Sequence, residues 1–151
     1  MRTLGLDVGT KTIGVAVSDG LGFTAQGVTT IRRTNLKADL AALRALVQEH
    51  EGERFVVGLP LNMNGSEGPR AEASRKFAEQ LTAALGLPVE FWDERLSTVA
   101  ATRTLLEADV SRAKRREVID QMAAQFILQG WLDARQAPYD PSDYDDYDEG
   151  K

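Results

Sequence analysis

The chain has 151 residues, 42% of them hydrophobic and 27% charged, which suits one compact soluble domain. It has no cysteine and one histidine, His50, which excludes disulfides, a thiol nucleophile and any cysteine- or histidine-rich metal site. Hard, oxygen-bound ions such as magnesium or manganese are the metals left to it. The net charge of -5 is unevenly spread: residues 138–151 (PYDPSDYDDYDEGK) alone sum to -5, so residues 1–137 are neutral, and Arg112, Lys114, Arg115 and Arg116 form a local positive run. A phosphate backbone responds to such a local field more than to the total charge.

Thr3–Asp7 reads as a short apolar strand, followed by a turn at Gly9-Thr10-Lys11-Thr12. Ile13–Ser18 alternates branched apolar and small residues, and Ala25–Ile31 is rich in Val and Thr, so an antiparallel three-stranded meander is expected. From Leu36 to about Glu49, Leu40, Leu43, Leu46 and Val47 recur at helical spacing. Arg54–Leu59 is a buried parallel strand by its apolar run. A loop with an Asn64-Gly65 turn leads to a helix that starts at Pro69 and stops at Gly86. Val89–Trp92 is a last strand, and Ser97 caps a helix with Val99, Leu105 and Leu106 on its apolar face. Residues 109–116 show no clear period, and a final helix runs from about Arg116 to Ala134 with Ile119, Ala123, Phe126 and Ile127 inward. Trp92 and Trp131 are read as core. The tail after Ala137 has almost no aliphatic content and is expected to be disordered. No apolar run approaches the roughly 18–20 residues that cross a bilayer. MRTLGLDVGT meets Asp and Gly too early for a signal peptide, so a cytoplasmic protein is expected.

Four acids are candidates for chemistry, and their combination matters more than any one of them. Asp7 ends the first strand; it either binds something at the strand end or caps the turn through the amides of Gly9 or Thr10. Asp93 and Glu94 follow the last strand, and only one of two neighbours faces the same site as Asp7. Glu94 could equally pair with Arg95 at the surface. Asp120 lies beside an apolar helical stripe, which calls for a metal or for an ion pair with Arg116. Three converging carboxylates repel one another unless cations lie between them. Two magnesium or manganese ions in such a site would support phosphodiester hydrolysis without histidine or cysteine.

The segments DVGTKTIGVAVSD, VVGLPLNMNGSEGPR, FWDERLST and IDQMAAQFILQGWL, in that order over nearly all of residues 1–135, resemble the YqgF family. Its members are described as Holliday junction resolvases or pre-16S ribosomal RNA nucleases. The resemblance implies an RNase H-like α/β fold over residues 1–137, with a mixed five-stranded sheet (three antiparallel strands, then two parallel) flanked by helices. It also implies a metal-dependent nuclease that processes the 5′ end of pre-16S rRNA, with Asp7, Glu94 and Asp120 as its acidic residues. RuvC-type resolvases carry a further acid one turn beyond the last aspartate, where this chain has Ala123 and Ala124. Thr10, Lys11, Asn62, Asn64, Gly65, Arg95, Arg112, Lys114, Arg115 and Arg116 are candidate substrate contacts, each with a solvated surface as the plainer reading. RNA is the favoured substrate, and a ribosome or rRNA precursor a possible partner. Three other readings remain open. DVGT also resembles the first phosphate loop of sugar kinases and actin-like ATPases, which need a second domain. The protein could be a Holliday junction resolvase acting on DNA as a homodimer rather than a monomer, or a non-catalytic RNA- or ribosome-binding protein.

Overall fold

The computed structural model describes residues 2–96 and 112–136, with residues 112–117 as backbone only. Five strands form one sheet: β1 (Arg2–Val8), β2 (Thr12–Ser18), β3 (Ala25–Arg32), β4 (Gly52–Leu59) and β5 (Val89–Asp93), in the order β3-β2-β1-β4-β5. β1–β2 and β2–β3 are antiparallel, while β4 runs parallel to both β1 and β5. The helices are α1 (Leu36–His50), α2 (Pro69–Leu85) and α3 (Arg112–Gln136). The helix expected after Ser97 and the tail 138–151 lie outside the described residues. Among those residues no helix is long and apolar enough to cross a membrane.

Local chemistry sets the helix ends. Asn35 caps α1 by accepting the Ala38 amide at 2.9 Å. Pro69 opens α2, and Gly86 closes it with φ 72°, a left-handed conformation that favours glycine. One expectation needs correction: the last helix begins by Arg112, not near Arg116, so Arg112, Lys114, Arg115 and Arg116 belong to it. Arg and Lys are good helix formers, so the run can be helical without an apolar stripe. β5 also runs one residue further than expected, through Asp93, and Glu94 begins a 3₁₀ turn, Glu94–Leu96.

Strand alternation divides the core in two. Leu4, Leu6, Ile13, Val15, Phe55 and Val57 face α1 and α2, where they meet Leu43, Phe77 and Leu81. The opposite face, with Ala16 and Val56, packs under Ala123, Ala124, Ile127, Leu128 and Trp131 of α3. Trp131 is buried, with the guanidinium groups of Arg54 and Arg135 over its ring at 5.4 and 4.6 Å. Both tryptophans are core, as expected, Trp92 being half-buried against this cluster.

α3 lies unusually close to the sheet because small residues line the contact. A Cβ on Gly5 would lie 2.6 Å from Leu128 Cβ and 3.0 Å from the Ala124 carbonyl. One on Gly14 would run into the Asp120 carbonyl, and one on Gly58 into Ile127. Gly14→Ala should therefore lift α3 and cost about 2–3 kcal/mol in urea unfolding, the range of core overpacking. Gly20→Ala, where nothing lies within 4 Å, should change stability by no more than about 0.5 kcal/mol.

Candidate active site

The acids gather on the α3 face at the end of the sheet where the parallel strands β1, β4 and β5 finish. Leu4 and Leu6 face α1 and α2, so Gly5 and Asp7 face α3. Asp7 is only 6% exposed and sits opposite Gly14 in β2. Asp120 lies directly over Gly14. On the other side, the pairing Leu6↔Val57 brings Asp7 level with Gly58, and a Cβ on Gly58 would be 2.9 Å from Glu94 Oε1. Glycine on both flanks of Asp7 thus makes room for Asp120 and for Glu94. Among the described residues, no three carboxylates, histidines or cysteines are drawn tightly enough around one point to hold an ion.

The plainer readings of these acids can be checked against their neighbours. The Gly9 amide donates to the Thr12 carbonyl at 2.9 Å, which closes the turn after Asp7 through the backbone. Asp120 Oδ2 accepts a hydrogen bond from the Thr12 hydroxyl, across 108 residues of sequence. Arg95 is held by Asp93 through Nε and Nη2, the latter at 2.7 Å from Oδ2. Asp93 sits opposite Leu59 and alternates with Trp92, which places it on the face away from α3. Glu94 is therefore the member of the pair that shares a face with Asp7.

The turn after Asp7 is braced by a pair that sequence reasoning missed. Asp39, 2% exposed, accepts from Arg33 Nε at 3.1 Å and from the Thr34 amide at 3.2 Å. Arg33 Nη1 then donates to the Gly9 carbonyl at 2.8 Å, its backbone amide donates to the Lys11 carbonyl at 2.8 Å, and its guanidinium lies over Phe77. Thr10 and Lys11 project from the braced turn and are exposed. The only hint in the sequence was an acid at an apolar period of α1, four residues before Leu43.

The loop between β4 and α2 is shaped by its own polar groups. Asn62 Nδ2 donates to Ser66 Oγ at 2.9 Å, and Asn64 Oδ1 accepts from the Ser66 amide and hydroxyl at 3.0 and 2.6 Å. Gly65 takes φ 87°, and Arg95 Nη1 donates to the Met63 carbonyl at 3.2 Å. Asn62, Asn64 and Arg95 thus use these groups to build the loop. The side chains of Arg112, Lys114, Arg115 and Arg116 lie outside the described residues; their backbone forms the start of α3.

Two predictions follow from these pairs. Asp39→Ala leaves Arg33 without its buried partner and should cost about 3 kcal/mol in thermal or urea unfolding, near the lower end for a broken buried pair because Arg33 is partly exposed. The hydrogen bonds from Arg95 hold the Asp93 carboxyl below the usual carboxylate range, and the same contact raises Arg95. A lowered carboxylate contributes stability above its unfolded value of about 3.9 and loses it as the pH falls through the folded value. An NMR titration should place the Asp93 midpoint below about 3.9 and show Arg95→Ala returning it towards that value.

Residues 1–134 match the family described as RuvX: Holliday junction resolvase. A Myxococcus xanthus protein named "Putative pre-16S rRNA nuclease" is 76% identical over 148 residues, covering 96% of this chain and 98% of the relative. A Moorella thermoacetica protein of the same name is 70% identical over 133 residues, covering 88% and 95%. The fold is similar to that of Thermus thermophilus RuvC solved with a Holliday junction substrate, with a TM-score of 0.56, 14% identity, and coverage of 91% of this chain and 97% of that one. It is also similar to a fowlpox virus resolvase solved with Holliday junction DNA, with a TM-score of 0.51, 8% identity, and coverage of 90% and 99%. At these identities the structures speak to the fold alone, a mixed five-stranded sheet of the RuvC and RNase H type flanked by helices. The match over residues 1–134 and the 76% identity to a full-length relative place the chain in the RuvX family.

Proposed function

We propose that this protein is a metal-dependent nuclease that cleaves phosphodiester bonds of pre-16S rRNA at the 5′ end, in the cytoplasm. The observation that carries the reading is the placement of Asp7, Glu94 and Asp120 on one face around Gly14 and Gly58. The donor chemistry fits a hard divalent cation: all three are carboxylates, and Asp7 is almost fully buried. Asp7, Glu94 and Asp120 would hold two magnesium or manganese ions. When bound, these supply an activated water and charge stabilisation at the leaving oxygen.

The chain's own residues position the rest. Thr12 orients the Asp120 carboxylate. The Arg33–Asp39 pair fixes the Gly9–Lys11 backbone, so the Lys11 ammonium is offered to a phosphate from a rigid turn. Arg95 ties the Asn62–Gly65 loop to the strand end that precedes Glu94. The basic run from Arg112 to Arg116 adds screened backbone contacts.

RNA rather than a DNA junction is supported by the names of the relatives at 76% and 70% identity. Position by position, the site also departs from the resolvase pattern: Ala123 and Ala124 are 2% and 0% exposed, packed against the sheet, which leaves no room there for a further acid. Paired nicks in a junction need two active sites, whereas a single cut in RNA needs one. The test is cleavage, with manganese, of a pre-16S rRNA fragment, single-stranded RNA, single-stranded DNA and a four-way DNA junction. Asp7→Asn, Glu94→Gln and Asp120→Asn should each lower RNA cleavage by on the order of 10²-fold or more without loss of fold. Equal activity in the wild type and Asp7→Asn would mean the carboxylates are not the site, and faster cleavage of the junction would overturn the choice of RNA.

A further inference from the structure

The cations around the acid-bearing end of the sheet differ in their pairing. Among the described residues Arg33, Arg54, Arg75 and Arg95 each pair with a carboxylate. Arg32, Arg70 and Lys11 are exposed, and none of the ion pairs among the described residues holds them. All three stand at the end of the sheet that carries Asp7. Arg32 is the last residue of β3 and pairs with Thr12, while Arg70 is the second residue of α2.

These cations line two clefts that share one wall. The first, of about 360 Å³, is bounded by Gly9, Thr10, Lys11, Thr12, Arg70 and Asp120. The second, of about 410 Å³, is bounded by Thr10, Lys11, Thr12, Arg32 and Arg33. The shared wall is the braced β1–β2 turn. In the second cleft Arg33 is committed to Asp39 and Gly9, so Arg32 is the guanidinium with donors to offer. In the first, Arg70 and Asp120 line the same cleft, and none of the ion pairs among the described residues joins them. Its planar fork of donors suits a phosphate bidentately.

We propose that Arg70 and Arg32 are two phosphate positions on one track, along which an RNA strand crosses the Thr10–Thr12 turn. Arg70 holds the phosphate beside the reacting one, because its cleft contains Asp120. Arg32 holds the strand on the far side of the turn, in a cleft that contains none of the three acids. Lys11, on the wall between them, contacts the phosphate that passes over it. The inference rests on the nuclease reading and assigns different work to the two arginines.

Fluorescence anisotropy with a labelled single-stranded RNA, in chelator and over a range of salt, tests the track apart from cleavage. Arg70→Ala and Arg32→Ala should each flatten the plot of log affinity against log salt by about 0.7, the value for one phosphate on a single strand. Lys76→Ala, an exposed cation midway along α2, should leave the slope unchanged. Arg70→Lys and Arg32→Lys should restore most of the slope, which mere misfolding would not allow. In cleavage with manganese, Arg70→Ala should lower kcat about tenfold or more. Arg32→Ala should raise KM with kcat unchanged, and only for oligonucleotides long enough to reach over the turn. Wild-type binding with unaltered slopes in both alanine variants overturns the track and leaves the nuclease reading standing. A wild type that neither binds nor cleaves RNA overturns both.

Discussion

Asp120 meets the sheet because Gly14 has no side chain. That close approach of α3 is the constraint on which the rest of the site depends, since the Asp120 backbone rests where a Cβ would otherwise stand. Gly5 lets Leu128 and the Ala124 carbonyl come down on β1, and Gly58 admits Ile127 together with the Glu94 carboxylate. A glycine inside a strand costs roughly 0.5–1 kcal/mol in conformational freedom. Burying one leucine or isoleucine side chain returns about 1.5–3 kcal/mol, and Ile127 and Leu128 are both fully buried. The same contacts that seat the helix fix the separation of the acids. Stability and site geometry are coupled through these three glycines.

The elements were legible in the sequence where their period is short. β1, β2, β3 and the two main crossover helices follow from alternation, from 3.6-residue spacing and from Pro and Gly at their ends. Asp7 and Glu94 were legible as candidates because one stands at the end of a strand and the other directly follows one. The start of α3 was not, because Arg112, Lys114, Arg115 and Arg116 show no apolar stripe, and a stripe was the signal being sought. Arg33–Asp39 was also hidden: a strand-end arginine next to another, and an acid in a leucine-rich helix, look like two unrelated surface charges until the chain turns back on itself. The Thr12–Asp120 bond links residues too far apart for any local rule.

Strand glycines carry a signal that is hard to see in the sequence. In the sequence, Gly5, Gly14 and Gly58 look like weak points within apolar strands. In the fold they occupy three neighbouring strands, β1, β2 and β4, beneath one helix. A strand glycine marks close approach by another backbone or by a ligand, and here a helix backbone, an isoleucine and a carboxylate make that approach. The pattern could have pointed to the α3 face as the site before any acid was considered.

Charge is divided by the same logic of pairing. Residues 1–137 carry no net charge, so nothing in the total favours a polyanion. What matters is which cations are already satisfied. Arg33 and Arg95 are bound to Asp39 and Asp93 and hold the two loops that border the acids. A phosphodiester approaching Asp7, Glu94 and Asp120 meets repulsion from all three unless positive charge stands with them. Divalent ions answer that at the reacting phosphate on the proposed reading, but they do nothing for the phosphates to either side. Those need fixed cations that no carboxylate of the protein has claimed, set on rigid backbone at the edge of the site. Arg32 on the end of a strand, Arg70 on the first turn of a helix and Lys11 on a braced turn meet that requirement. On the proposed track, these three cations are the ones set to meet the flanking phosphates.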